Sequence, residues 1–338
     1  RQYRRGSACL TTYALYVGKG GYSLLKGLAL DSGVYQSCRV GLEVNVINQL
    51  RNCRVAWLLV PIVAFVNVAS AQPSFRDWGI NQITISDPVV ASTIVYGTNA
   101  TSITVTNDIR TITTNSVASH AIGAGNRNSP AAIPRVYQVD ATPSFASNPT
   151  FTSIAVKFGV TVTGILFDAY AAEFFAGDPN GWNYSVPGNA IGLWIDDNGG
   201  HVQPDGLYHL HGLPTGLMAQ LGWSAESHSP LIGFAADGFP VYALIGEAVN
   251  VHTSSYVLKT GSRPTGGSNP GGTYDGTFHN DWSFQSGAGT LDACNGTTTV
   301  NGDYPNGTYA YFLTADYPVI PACLKGVPSE DFRVSRRR

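Results

Sequence analysis

The stretch TSITVTNDIRTITTNS, residues 101–116, constrains the fold more than any other. Ile103 and Val105 share one face of an extended chain, and Thr104 and Thr106 share the other. After Asn107-Asp108 the alternation resumes with Ile109, Thr111 and Thr113. A period of two belongs to a strand, because a helical stripe recurs every 3.6 residues. Asn-Asp between two such runs reads as a turn. Only 12% of the residues are charged, about half of the roughly 25% usual in globular proteins. Surface helices need Glu, Lys and Arg, so this shortage also favours strands and turns.

Other segments agree. FTSIAVKFGVTVTGILFDAY (151–170) reads as strands broken at Gly159 and Gly164. SPLIGFAADGFPVYALIG (229–246) reads as a hairpin turning at Asp237-Gly238. Residues 174–190 and 261–276 are rich in turn formers and are expected to be loops, the second with no regular structure. Only LPTGLMAQLGW (213–223) suggests a helix, and a short one. The expected class is all-β or β-dominated.

Charge divides the chain unevenly. Residues 1–71 hold 8 Lys and Arg against 2 Asp and Glu, and the remainder holds 12 against 20. So acidic a body is a poor nucleic-acid binder, and no nucleic-acid partner is expected. RVAWLLVPIVAFVNVASAQ (54–72) has a basic flank, an apolar stretch and the small-x-small ending Ala69-Ser70-Ala71. That is the pattern of a secretory signal peptide spanning 54–71. The apolar run is shorter than the roughly 20 residues a membrane helix needs, so no span is expected in the mature chain. Residues 1–53 are expected to be an undefined leader or upstream translation. Residues 72–102 read as an extended Thr-rich segment, and 327–338 as a basic tail. Localisation is expected to be secreted, extracellular or cell-surface. Only Cys294 and Cys323 follow the cleavage point, and an even pair in an oxidising compartment suggests a disulfide.

The candidate chemistry centres on GLYHLHGLP (206–214). On a strand, His209 and His211 would project to the same face, with Tyr208 and Leu210 on the other. Two such imidazoles can chelate Zn²⁺ or Cu²⁺ with a third ligand from elsewhere. Asp196, Asn198 and Asp205 in DDNGGHVQPDG offer oxygen atoms that could hold Ca²⁺, although their spacing is not that of an EF-hand loop. Sequons at Asn99, Asn183, Asn295 and Asn306 permit glycans on a secreted chain. Trp182, Trp194 and Trp282 are candidate stacking surfaces for a carbohydrate, or core residues. No recognised catalytic motif occurs, and no catalytic residue is nominated.

Several blocks resemble, in order, the YHYH-domain family, named for a Tyr-His-Tyr-His stretch. They are RTITTNSVASHAIGAGNRNSPAAI, with His120 at the family's recurrent histidine, then GLYHLHGLP, SPLIGFAADGFPVYA and LDACNGTTTVNGDYPNGTYAYFLTADYPVIPACLKG. The likeness spans roughly 103–326 and implies a sandwich-like domain of a secreted or surface protein, with no settled activity. Here the motif reads Tyr208-His209-Leu210-His211. Where the family has a further Tyr-His-Tyr, this chain has Tyr309-Ala310-Tyr311. The resemblance therefore leaves His120, His209 and His211 as the expected metal set.

Function is expected to be that of a structural subunit. Such a subunit would self-associate into an oligomer or extracellular fibre through strand addition by residues 80–106. The alternative is a metal-dependent enzyme, or a metal- or carbohydrate-binding module, using His209 and His211.

Overall fold

The computed structural model describes residues 14–18, 21–25, 97–123, 126–186, 192 and 194–334. The expected signal peptide, the Thr-rich segment through residue 96 and the last four residues of the basic tail lie outside the described residues. The chain divides into two units, residues 1–66 and 67–338. In the first, β1 (Ala14–Gly18) and β2 (Gly21–Leu25) pair as an antiparallel hairpin. Among the described residues, the expected leader therefore contains this hairpin, which its weak patterning concealed.

The first described elements of the second unit are an antiparallel meander of β3 (Thr101–Thr106), β4 (Ile109–Thr114) and β5 (Arg135–Asp140). Asn107 and Asp108 turn between the first two with φ of 50° and 61°. A two-residue type I′ hairpin needs positive φ at both positions, which Asn and Asp tolerate. Strand β3 is thus paired within its own chain rather than waiting for another copy, although it remains the outer strand of the meander.

Short strands follow: β6 (Thr150–Phe151), β7 (Gly159–Thr161), β8 (Leu166–Phe167), β9 (Gly200–Val202) and β10 (Tyr208–Leu210). Helix α1 (Thr215–Gln220) falls inside the segment expected to be helical. Then come β11 (Gly233–Ala235), β12 (Pro240–Ala243), β13 (Tyr256–Leu258), β14 (Thr265–Gly266) and β15 (Asn269–Pro270). The last are β16 (Trp282–Phe284), β17 (Gly296–Thr299), β18 (Thr308–Leu313) and β19 (Cys323–Leu324). Strands β14 and β15 lie in the stretch expected to lack regular structure. Gly266, which ends β14, and Gly267, in the turn to β15, have φ of 86° and 60°, which the loop reading overlooked.

Eight strands form one mixed sheet in the order β17-β18-β12-β11-β7-β8-β10-β9. Strands β11 and β12 are the hairpin expected at Asp237-Gly238. The meander packs on this sheet and shares its core. Ile112, Tyr137 and Val139 join one cluster with Phe158, Phe167, Phe234 and Tyr311. The sandwich-like expectation is met in this sense. Burial of each such side chain contributes roughly 1.5–3 kcal/mol. Arg110 bridges the layers, with its guanidinium 3.8 Å from the Phe234 ring centre and donating to the Gly238 carbonyl. Alternation divides β18 between two faces: Tyr309, Tyr311 and Leu313 enter this core, while Ala310 and Phe312 meet Tyr242 and Leu291 on the other side.

The buried hairpin acid Asp237 accepts from the Tyr311 hydroxyl at 2.6 Å and from the Gly326 amide at 2.8 Å. Cys294 and Cys323 form the expected disulfide, with Cα atoms 4.9 Å apart. Among the described residues, no helix is long and apolar enough to cross a membrane.

Candidate functional site

The site is built by one hairpin at the end of the large sheet. Strands β9 and β10 are antiparallel, and their register sets His201 opposite His209. The turn joining them, Gln203-Pro204-Asp205-Gly206, is closed by a bond from the Gly206 amide to the Gln203 carbonyl. Proline supplies the fixed φ that such a turn needs at its second position. Gly206 has φ of 90°, where a side chain would be strained.

His209 and His211 lie two apart, so both rings project to the same side. Tyr208 points the opposite way and gives its hydroxyl to both Asp196 carboxylate oxygens, at 3.1 and 3.0 Å. Leu210 enters the core. The three imidazoles converge through their Nε2 atoms, with separations of 3.0 Å for His201–His209, 2.8 Å for His209–His211 and 3.2 Å for His211–His201. His209 and His211 are buried, while His201 is partly open.

Burial opposes a charge on any of the three. It pushes His201 down to about 3, and the neighbouring His209 acts in the same direction. Burial also lowers His209, with Lys157 adding to the effect and Asp168 opposing it. His211 lies well below the ordinary value, through burial first and then through repulsion from His209, His201 and Lys157. At neutral pH the cluster is therefore three neutral imidazoles, the form that ligates metal. The Leu207 carbonyl faces His209 Nδ1 at 3.5 Å, a long contact on the side away from the cluster. Nearby, Lys157 and Asp168 form a buried ion pair.

The expected ligand set needs one correction. His120 is not in the cluster: its ring lies 6.1 Å from that of Tyr208, the residue that points to the other side of β10. Its place as third imidazole is taken by His201. A histidine at position 310, which the resemblance led us to expect, would have no bearing on this cluster. Ala310 sits on β18, five positions from β10 in the sheet order, or about 24 Å at the usual strand spacing.

Each residue of the expected oxygen set is engaged in local hydrogen bonds. Asp196 is filled by amides of Gly123, Asn198 and Gly200 as well as by Tyr208. Asn198 Oδ1 accepts from Gly216 N and Thr215 Oγ1. Asp205 is exposed and caps Leu207 N. These contacts stabilise the local turns. Of the four sequons, Asn306 is exposed. Asn183 and Asn295 are buried, and their Nδ2 atoms each donate to main-chain carbonyls, as does that of Asn99. Attaching a glycan at those three would break these bonds.

A family model described as "YHYH protein" matches residues 136–326, more than half of the chain. The chain belongs to the YHYH family. No similar curated protein and no similar solved structure was found. The YHYH match takes in all three clustered histidines and both cysteines of the disulfide, and begins within β5.

Proposed function

We propose that this YHYH protein binds one late transition-metal ion, Zn²⁺ or Cu²⁺, through His201, His209 and His211. The observation that carries this reading is the convergence of three Nε2 atoms within 3.2 Å of one another. A tetrahedral Zn²⁺ with Zn–N of about 2.05 Å needs ligand nitrogens about 3.3 Å apart, and a right-angled facial site needs about 2.9 Å. The cluster lies close to both. A neutral imidazole carries its proton on one nitrogen only, so the donor in each of these Nε2 contacts is set by the tautomers, whereas a cation would engage an Nε2 lone pair from all three rings at once. An all-nitrogen set disfavours Ca²⁺, which takes oxygen ligands. The partly open His201 leaves a route by which an exchangeable ligand would reach the ion.

Elemental analysis of purified protein, with calorimetric titration after chelation, tests this. One equivalent of Zn²⁺ or Cu²⁺ is expected, and H209Q and H211Q are expected to lose it. Absence of binding at micromolar metal, or undiminished binding in both variants, would reject the reading. Export to an oxidising compartment is part of the proposal, supported by the signal-like 54–71 segment and the disulfide.

A second reading, self-association at the edge of β3, has one observation in its favour. Ile103 and Val105 on this outer strand are 37% and 57% exposed. Sedimentation of wild type and V105K would test it: a wild type that stays monomeric at high concentration rejects self-association. The metal reading is preferred, because β3 already has a partner strand in its own chain.

A further inference from the structure

A cavity of about 320 Å³ lies away from the histidine cluster and shares no residue with it. Its walls include Phe151, Tyr170, Tyr256 and Tyr317, with His279 and Asn280 beside them. Small-molecule sites start near this size.

The aromatic rings are held in place. Tyr170 stacks on His279 with centroids 4.3 Å apart, and Tyr317 stacks on Trp282 at 4.6 Å. The Tyr317 hydroxyl is 2.9 Å from His279 Nδ1, and Tyr256 donates its hydroxyl to the Ala293 carbonyl at 3.0 Å. The disulfide fastens the two sides together. Cys294 follows Ala293, which holds Tyr256, and Cys323 pairs in register with Phe151. Phe151 is 63% exposed, so the ring that it contributes to the lining is open to an incoming ligand.

The described lining residues carry no charge, and burial keeps His279 neutral, down to about 3. An ionic ligand would lose hydration there without gaining a counter-charge. A neutral ligand with hydroxyls on its rim and apolar C–H faces suits the lining better, because aromatic rings cover such faces while phenol and amide groups pair with hydroxyls.

We propose that this cavity is a binding site for a neutral saccharide, with Phe151 and Tyr256 as its aromatic surfaces and Asn280 as a polar partner. The site differs from the Trp182, Trp194 and Trp282 set that the sequence put forward for stacking. Trp282 is buried behind Tyr317, where it supports the site without lining it.

The test is calorimetry on the intact chain with four uncharged hexasaccharides, those of cellulose, starch, chitin and laminarin, and with polygalacturonate as the charged control. At least one neutral probe is expected to bind, with affinity about tenfold weaker in F151A and in Y256A, the weight of one aromatic contact. Failure of all four neutral probes at millimolar concentration overturns the proposal. So does binding that both variants leave intact, or binding of polygalacturonate as tight as that of the best neutral probe. Should Y256A fail to fold, F151A decides, since Phe151 is largely exposed and contributes little to the core.

Discussion

Replacing His201 by alanine separates the ligand set built by the fold from the one expected from the sequence. His201 sits on β9, the outermost strand, and is partly open, so its truncation removes an imidazole without opening the core. His120 is buried and lies against Tyr208, outside the cluster. The magnitude follows from linkage. An ion that binds only the folded chain, present at a hundred times its dissociation constant, adds about 2.7 kcal/mol. For a domain of some 200 residues that amounts to a rise in Tm of roughly 5–11 °C. The geometry does not oppose this gain, because the Nε2 atoms need spread by only a few tenths of an ångström to reach a tetrahedral site.

The assay is differential scanning fluorimetry of chelated protein with and without Zn²⁺. Wild type and H120A are expected to show the full rise, each above its own baseline. H201A is expected to show little or none. A full metal-dependent rise in H201A, or its loss in H120A alone, would refute the geometric argument and restore the ligand set expected from the sequence.

Three further outcomes are expected. Reduction of the Cys294–Cys323 bond, which closes a loop of 29 residues in sequence separation, should cost about 3–4 kcal/mol in urea unfolding, and a loss below 1 kcal/mol would contradict the loop-entropy account. Phe158→Ala, at a fully buried ring between Phe167 and Tyr311, should destabilise by about 3–5 kcal/mol in the same assay, and a loss below 1 kcal/mol would mean the two sheets do not share this core. His279 is pushed down to about 3 from an ordinary 6.5, so the unfolded chain takes up the proton first as pH falls. Its contribution is complete above pH 6.5 and is lost on acidification toward pH 3, at about 1.4 kcal/mol per pH unit. The stability gap between wild type and H279Q should therefore shrink from pH 6.5 to pH 4, and a constant gap would refute a neutral imidazole at this position.

Strand character, the two hairpin turns and the disulfide were legible because each depends on neighbours in sequence or on simple counting. Asn107-Asp108 and Asp237-Gly238 have the residues that their turns require, and only two cysteines follow the expected cleavage point. The burial of Arg263 was not legible. It belongs to the Gly-rich segment GSRPTGGSNPGG and pairs with Asp275 and Asp281, and nothing in that segment reports those partners.

His201 is the instructive case, because its signal was present. Pro204-Asp205-Gly206 is a turn sequence, and a hairpin closed there sets residue 201 opposite residue 209. Resemblance pointed elsewhere, to His120, because a recurrent residue carries no information about the face it occupies. The pleat carries that information. Cross-strand partners share a face, and residues two apart on one strand share it too. Those two rules alone bring His201, His209 and His211 together and leave Tyr208, with His120 beside it, on the other side. A histidine at position 310 would have been remote from the cluster for the same reason. Alternation assigns it to the Tyr242 and Phe312 side of β18, and the strand order puts that strand five positions from β10. Alanine at 310, where the resemblance implied a histidine, therefore removes nothing from the metal site proposed here, and a chain carrying Ala310→His is expected to bind the same single equivalent of Zn²⁺ as wild type.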